Sequence, residues 1–184
     1  MAGLTSAWRR NLAGCLAVAA GVALFSVGLP AIEDAIPDET VPTNEPLPFA
    51  NNVTVLPPPG ATVEADETSP TQGVITMAVD GVRYRIRAQP FGGSLQQLAV
   101  QVRDQITDSA GVQGVSPDQP ITSSQGVPGL QATFVGENRT GWYTVLLAAG
   151  TGVTAVVDGN DASVTRHRAD IDASIRTITI EGAT

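Results

Sequence analysis

Apolar and polar residues alternate most cleanly between Val74 and Arg87. Val74-Ile75-Thr76-Met77-Ala78-Val79 and Val82-Arg83-Tyr84-Arg85-Ile86-Arg87 flank Asp80-Gly81, a pair that tolerates the positive φ angles of a two-residue type I′ turn and so predicts a β-hairpin. The register follows. Val79, Met77 and Ile75 face Val82, Tyr84 and Ile86 on one side, and Ala78, Thr76 and Val74 face Arg83, Arg85 and Arg87 on the other. The first side is core and the second carries three guanidinium groups in a row. The period then changes to that of a helix, with Leu95, Leu98, Ala99, Val102 and Ile106 on one stripe from about Leu95 to Ile106. Ser94 and Gln97 have the spacing of a capping box at its start. Thr107 to Pro120 reads as a polar loop, Ile121 to Ser124 as a short strand, and Gln125 to Gly129 as a turn. Leu130–Val135, Trp142–Ala149 and Val153–Val157 form a three-stranded meander. Its middle strand is almost continuously apolar, which argues for cover on both faces. A second helix runs from about Ser163 to Arg176, capped by Asp161 or Ser163, with Val164, Ile171 and Ile175 on one face and Arg168 among them. Thr177 to Ile180 closes the sheet as an edge strand. The order predicts an α+β domain with a mainly antiparallel sheet and two packed helices.

Upstream of this domain the pattern is different. Leu12 to Ile32 holds 21 residues without a charge, about 31 Å as a helix and close to a hydrocarbon core of about 30 Å. Arg9 and Arg10 precede it and Glu33, Asp34, Asp38 and Glu39 follow, a bias that keeps the N-terminus in the cytoplasm. A cleaved signal peptide is the competing reading, but its apolar region spans about 7–15 residues, and a cut after Ala31 would place Leu29 where a small residue is needed. An uncleaved anchor is favoured. Leu12-Ala13-Gly14-Cys15 matches the tetrapeptide that precedes a lipid-modified cysteine, yet nearly all of the apolar run lies after Cys15, so that residue reads as a small apolar filler. Ala13, Ala17 and Gly21 recur at a spacing that lets two membrane helices approach. The resulting division is a cytoplasmic segment (1–10), a transmembrane signal-anchor helix (11–32), an acidic Pro-rich linker (33–69) and an extracytoplasmic domain (70–184). The linker, with Pro37, Pro42, Pro46, Pro48 and Pro57-Pro58-Pro59, is expected to be extended, apart from a short strand at Val53 to Leu56.

Charge refines the picture. The formal net charge is −8, but Glu33 to Glu67 holds eight acids and no base, whereas Gln72 to Thr184 holds ten acids and eight arginines. The folded part is nearly neutral, which argues against a nucleic-acid partner. There is no lysine, and the single cysteine, Cys15, precludes a disulfide in the exported domain. All ten bases are arginine, a usage that suggests a high-GC bacterial genome. No cofactor is implied.

A helix after the first strands, a late meander with an aromatic strand, and a closing helix ending in Asp172-Ala173-Ser174-Ile175 resemble the PsbP-like fold family, which includes small actinobacterial envelope lipoproteins. The resemblance spans about Val74 to Ile180. It implies an accessory, non-catalytic protein that binds partners or small ligands, and it supplies no set of site residues. The chain departs from those lipoproteins in lacking a correctly placed lipid-attachment cysteine, so a membrane helix replaces the lipid anchor.

The functional expectation is therefore a membrane-anchored accessory or scaffold domain that binds another cell-envelope protein. The alternative is a binding module for an anionic envelope ligand, such as a lipid headgroup, phosphate or acidic glycan, through Arg83, Arg85, Arg87 or Arg168. A solvated sheet face with its arginines paired to carboxylates is the plain reading of the same row. Catalysis has little support, because no Gly-x-Ser-x-Gly, metal-ligand cluster or paired carboxylates on a rigid element stand out. His167 is the only histidine. Asp158-Gly159-Asn160-Asp161 fits no full oxygen-ligand loop for Ca²⁺.

Overall fold

In the computed structural model, which describes residues 45–49, 53–109 and 111–182, Asp80 and Gly81 adopt φ of 44° and 79°. They join β4 (Val74–Val79) to β5 (Val82–Pro90) in the expected register, with Met77 opposite Tyr84 and Thr76 opposite Arg85. The strand continues past Arg87 to Pro90 because Ala88 and Gln89 pair with Val153 and Gly152 of β10 (Thr151–Gly159). The meander is present as β8 (Pro128–Gly136), β9 (Thr140–Ala148) and β10. The β9–β10 turn is tighter than a Gly150-Thr151-Gly152 loop: Ala149 and Gly150 sit at φ 49° and 73°, and Ala148 already pairs with Thr151. Residues 141–146 of β9 are all buried, as a strand covered on both faces requires.

The main sheet runs β3 (Thr62–Val63), β4, β5, β10, β9, β8 and β6 (Val112–Val115), and β7 (Gln119–Thr122) also pairs with β8. One helix lies on each face. The helix α1 (Leu95–Thr107) is held at its start by the full capping box, Gln97 N–H donating to Ser94 Oγ at 3.2 Å and Ser94 N–H to Gln97 Oε1 at 2.8 Å. It buries Leu98, Ala99, Val102 and Ile106 against Tyr143, Val145, Ala132 and Phe134. Each large aliphatic side chain so buried contributes about 1.5–3 kcal/mol. The helix α2 (Asp161–Arg176) covers the other face with Val164, Ile171 and Ile175, packed in one cluster with Tyr84, Trp142, Val157 and Met77. Its cap is Asn160, whose Oδ1 accepts from Ser163 N–H at 3.0 Å, rather than Asp161 or Ser163.

Three expectations are corrected by long-range pairing. The supposed loop Thr107 to Pro120 contains β6 (Val112–Val115) and the start of β7 (Gln119–Thr122), both paired with β8. The segment Thr177 to Ile180 supplies β11 (Thr179–Ile180), which pairs with β2 in a separate three-stranded sheet and leaves the main sheet untouched. In the stretch expected to be an extended linker up to residue 69, β1 (Leu47–Phe49) and β3 (Thr62–Val63) are strands in addition to the expected one, β2 (Val53–Val55), and the 3-10 turns η1 (Ala65–Glu67) and η2 (Pro70–Gln72) follow. Phe49, Val53, Val55 and Ala61 are fully buried members of the core. The expected membrane helix 11–32 lies outside the described residues, and among the described residues no helix is long and apolar enough to cross a membrane.

Candidate functional site: a groove between the arginine row and the first helix

Because α1 sits over β9, β8 and β6, it leaves its face of the sheet open over β5 and β10. On the far side, η1 lies on β4, where Thr76 is fully buried and donates from Oγ1 to Glu67 O at 3.1 Å. The result is a trough of about 450 Å³, within the range of small-ligand and peptide sites. Arg83, Arg85, Arg87 and Gln89 of β5 form one wall, and Thr154, Val156 and Asp158 of β10 the floor. The helix wall carries Gln101 and Gln105 at its rim, with Leu98, Val102 and Ile106 beneath, and Phe134 and Arg139 close one end. Register fixes the order along the trough: Arg83 stands beside Asp158, Arg85 beside Val156, and Arg87 beside Thr154.

The arginines are not equivalent. Glu67 reaches Arg83 Nη2 at 3.2 Å and also pairs with Arg85 Nη2. Arg83 Nε lies 3.7 Å from Glu64, and Arg85 Nε donates to Thr76 Oγ1 at 3.3 Å. Arg139 pairs with Asp158 at 3.6 Å and lies 6.0 Å from the Phe134 ring centroid. Arg87 has no carboxylate within ion-pair distance among the described residues. So the hairpin register predicts the row correctly, and the plain reading of paired arginines holds for Arg83 and Arg85. The acids that pair them come from the stretch expected to be linker, and the trough itself depends on where α1 docks. Neither could be read from the local pattern around β5.

Arg168 does not join the row. It projects from α2 on the opposite face, its guanidinium 4.6 Å from the Trp142 ring centroid and its Nε 3.6 Å from Asp172. Its stem lies over apolar surface, and it stands on the face of the sheet away from Arg83, Arg85 and Arg87. Of the Asp158-Gly159-Asn160-Asp161 run, Asp158 is engaged by Arg139 and Asn160 by the helix cap.

His167 has a structural partner. Its Nε2 lies 3.2 Å from Asp80 Oδ2 at the hairpin tip, and Arg166 Nη1 approaches the same oxygen at 2.6 Å. The hydrogen bond from His167, and then that from Arg166, hold the Asp80 carboxyl below its ordinary value. A lowered carboxylate pKa stabilises the fold at pH above the unfolded value and is lost as pH falls through the folded one. Asp80→Asn, which keeps a residue tolerant of positive φ, is therefore expected to unfold at lower temperature than the parent near neutral pH. That gap should close as the pH is lowered below 3.8, and thermal melts across that range check it.

A third polar cluster lies on the outer side of α1. Tyr143 Oη donates to Asp118 Oδ1, and Arg103 Nη2 lies 2.9 Å from Asp118 Oδ2. Burial, and then the hydrogen bond to Asp118, push the Tyr143 phenol well above its ordinary range. This cluster ties the β6–β7 connection to α1 and β9. It holds no nucleophile.

No family model matches the chain, and no curated protein matches it. Among solved structures it is similar to the solution structure of cyanobacterial PsbP (CyanoP) from Synechocystis sp. PCC 6803, with a TM-score of 0.55 at 10% identity over 74% of this chain and 91% of that one. The fold is PsbP-like. At that identity the likeness concerns the fold, and the trough of this PsbP-like domain is described by its own residues.

Proposed function

We propose that this chain is a non-catalytic accessory protein of the cell envelope, held at the membrane by residues 11–32, whose PsbP-like domain works by binding another envelope protein in the trough between α1 and β5. The observation that carries this reading is the combination of an open concave site with Arg87, a guanidinium that among the described residues has no carboxylate partner in an otherwise paired row. Sites of this kind bind through a few placed polar groups on a largely preformed surface. The second reading, an anionic envelope ligand such as a lipid headgroup, phosphate or acidic glycan, is favoured by the same arginine. It is opposed by Asp158, Glu64 and Glu67, which surround the row with negative charge.

Photo-crosslinking in the native membrane tests the choice. A photoreactive residue at Gln101, on the trough rim, is expected to capture one recurrent protein at near-stoichiometric yield. The same residue at Val100, which is exposed on the helix beside it, should capture that protein far less. A lipid or glycan at Gln101 would transfer the assignment to the second reading, and equal capture at both positions would remove the trough from consideration.

A further inference from the structure

Resting on the trough as the binding site, we infer that the segment it takes from a partner is an extended acidic peptide whose carboxylates replace Glu67 on the arginine row. Arg83, Arg85 and Arg87 are alternate residues of one strand, so their side chains recur at about 6.6–7 Å. A second extended chain lying along β5 repeats its own same-side residues at that period. Acids at alternate positions of such a peptide therefore fall opposite successive arginines, and Glu67 already displays the contact by bridging Arg83 and Arg85.

The backbone cannot take part. β5 and β10 are interior strands, paired on both edges by β4 and β9 as well as by each other, so no edge is open for strand addition. Recognition must come from side chains. Opposite the arginines, Gln101 and Gln105 stand one helical turn apart, about 6 Å along the axis. Each amide offers both donor and acceptor, which suits a peptide backbone and is half wasted on a polyanion that only accepts. Asp158 on the floor argues the same way, since a uniformly anionic polymer would have to lie against it. Glu67 is a weak incumbent. Its side chain and those of Arg83 and Arg85 are 32–49% exposed, and ion pairs that wet contribute little and exchange readily.

The test uses the full chain in detergent and two fluorescent, end-blocked synthetic peptides, Thr-Glu-Val-Glu-Thr-Glu and the same sequence with every Glu replaced by Gln, read by anisotropy. The acidic peptide is expected to bind at least tenfold more tightly than the Gln peptide. Arg87→Ala should weaken it about tenfold, and Glu67→Gln should tighten it several-fold. Equal binding of the two peptides, no binding of either, or an unchanged affinity in Glu67→Gln would each overturn the inference. So would tighter binding by linear polyphosphate, which would make this a polyanion site. If the variant Asp38→Asn/Glu39→Gln/Glu45→Gln gained as much affinity as Glu67→Gln, the incumbent would be the chain's own acidic segment, and the inference would again fail. Capture of a protein at Gln101 without binding of the acidic peptide would reject the peptide chemistry and leave the trough in place. Absence of both would reject both.

Discussion

Gly141→Ala is expected to cost about 3 kcal/mol or more, at the upper end of what overpacking a well-formed interior does. Gly141 lies in β9 opposite Asp158 of β10 and Phe134 of β8. A methyl group there would collide with the carbonyl oxygen of Val157, stand 2.6 Å from Phe134 Cζ and 3.1 Å from Asp158 Cα. Two of those three neighbours are backbone atoms inside a paired ladder and have nowhere to go. The Phe134 ring lies over the glycine, an aromatic covering a position that has no side chain of its own, and it is buried in the cluster under α1. Moving it would disturb that cluster and, with Asp158, the closed end of the trough. Urea denaturation followed by circular dichroism reads the effect. Gly114→Ala is the control, because a methyl there meets nothing within 4 Å and needs no positive φ. If both variants lay within about 1 kcal/mol of the parent, the close approach of β9 and β10 at this point would not be a tight constraint.

Much of this fold was legible because its central elements carry strong local signals. Asp80-Gly81 fixed a turn, the turn fixed a register, and the register placed three arginines on one face. Ser94 and Gln97 marked a helix start that the apolar stripe then confirmed. The almost continuous apolar run of Trp142 to Leu147, broken by Thr144 alone, pointed to the strand that both helices cover. What could not be read has a common cause. β1 and β3 are two or three residues long and sit among prolines and acids, so their apolar residues lack any period, whereas β2 follows the strand expected at Val53 to Leu56. Phe49, Val53 and Val55 are buried only because β2 finds β11, more than a hundred residues later. β6 likewise lacks alternation and exists because the long β8 offers it an edge, and the strand expected at Ile121 to Ser124 is β7, shifted to start at Gln119 by its pairing with β8. The cap of α2 was missed because Asn160, Asp161 and Ser163, within one four-residue stretch, can all cap a helix. Arg168 shared a helix face with core residues, but its sequence position carries no information about which side of the sheet that helix covers.

The site divides the same way. Its arginine wall followed from alternation, while Glu64 and Glu67 were assigned to a tether on the strength of composition. The clue available was complementarity: an acid-only stretch ends a few residues before the strand pair whose outer face is basic. In the folded chain that proximity is realised over β4, where a 3-10 turn supplies the carboxylates. The charge that the trough presents therefore depends on a contact between a segment that composition called unstructured and a strand that periodicity identified at once.

Trp142→Ala should be the other severe substitution, costing about 3–5 kcal/mol. Trp142 is fully buried in the cluster beneath α2, the largest side chain in the core, and truncation leaves a cavity between β9 and the helix. Among the described residues its Nε1–H has no acceptor within hydrogen-bond distance, and on the same face burial drives the Tyr84 phenol well above its ordinary range. An unpartnered buried donor already carries a desolvation penalty. Trp142→Phe removes that donor while keeping an aromatic ring, so it should cost clearly less than Trp142→Ala. The ring also carries Arg168, whose guanidinium lies 4.6 Å from its centroid. A cation over an indole that is partly desolvated is worth about 1–2 kcal/mol. Arg168→Ala should therefore be less destabilising in a Trp142→Ala background than in the parent, with a coupling of about 1 kcal/mol in a double-mutant cycle. Additive losses would mean that Arg168 contributes through Asp172 and solvent alone. Because Arg168 is on the face away from the trough, none of these changes should alter the relative binding of acidic and neutral peptides by whatever fraction of each variant remains folded.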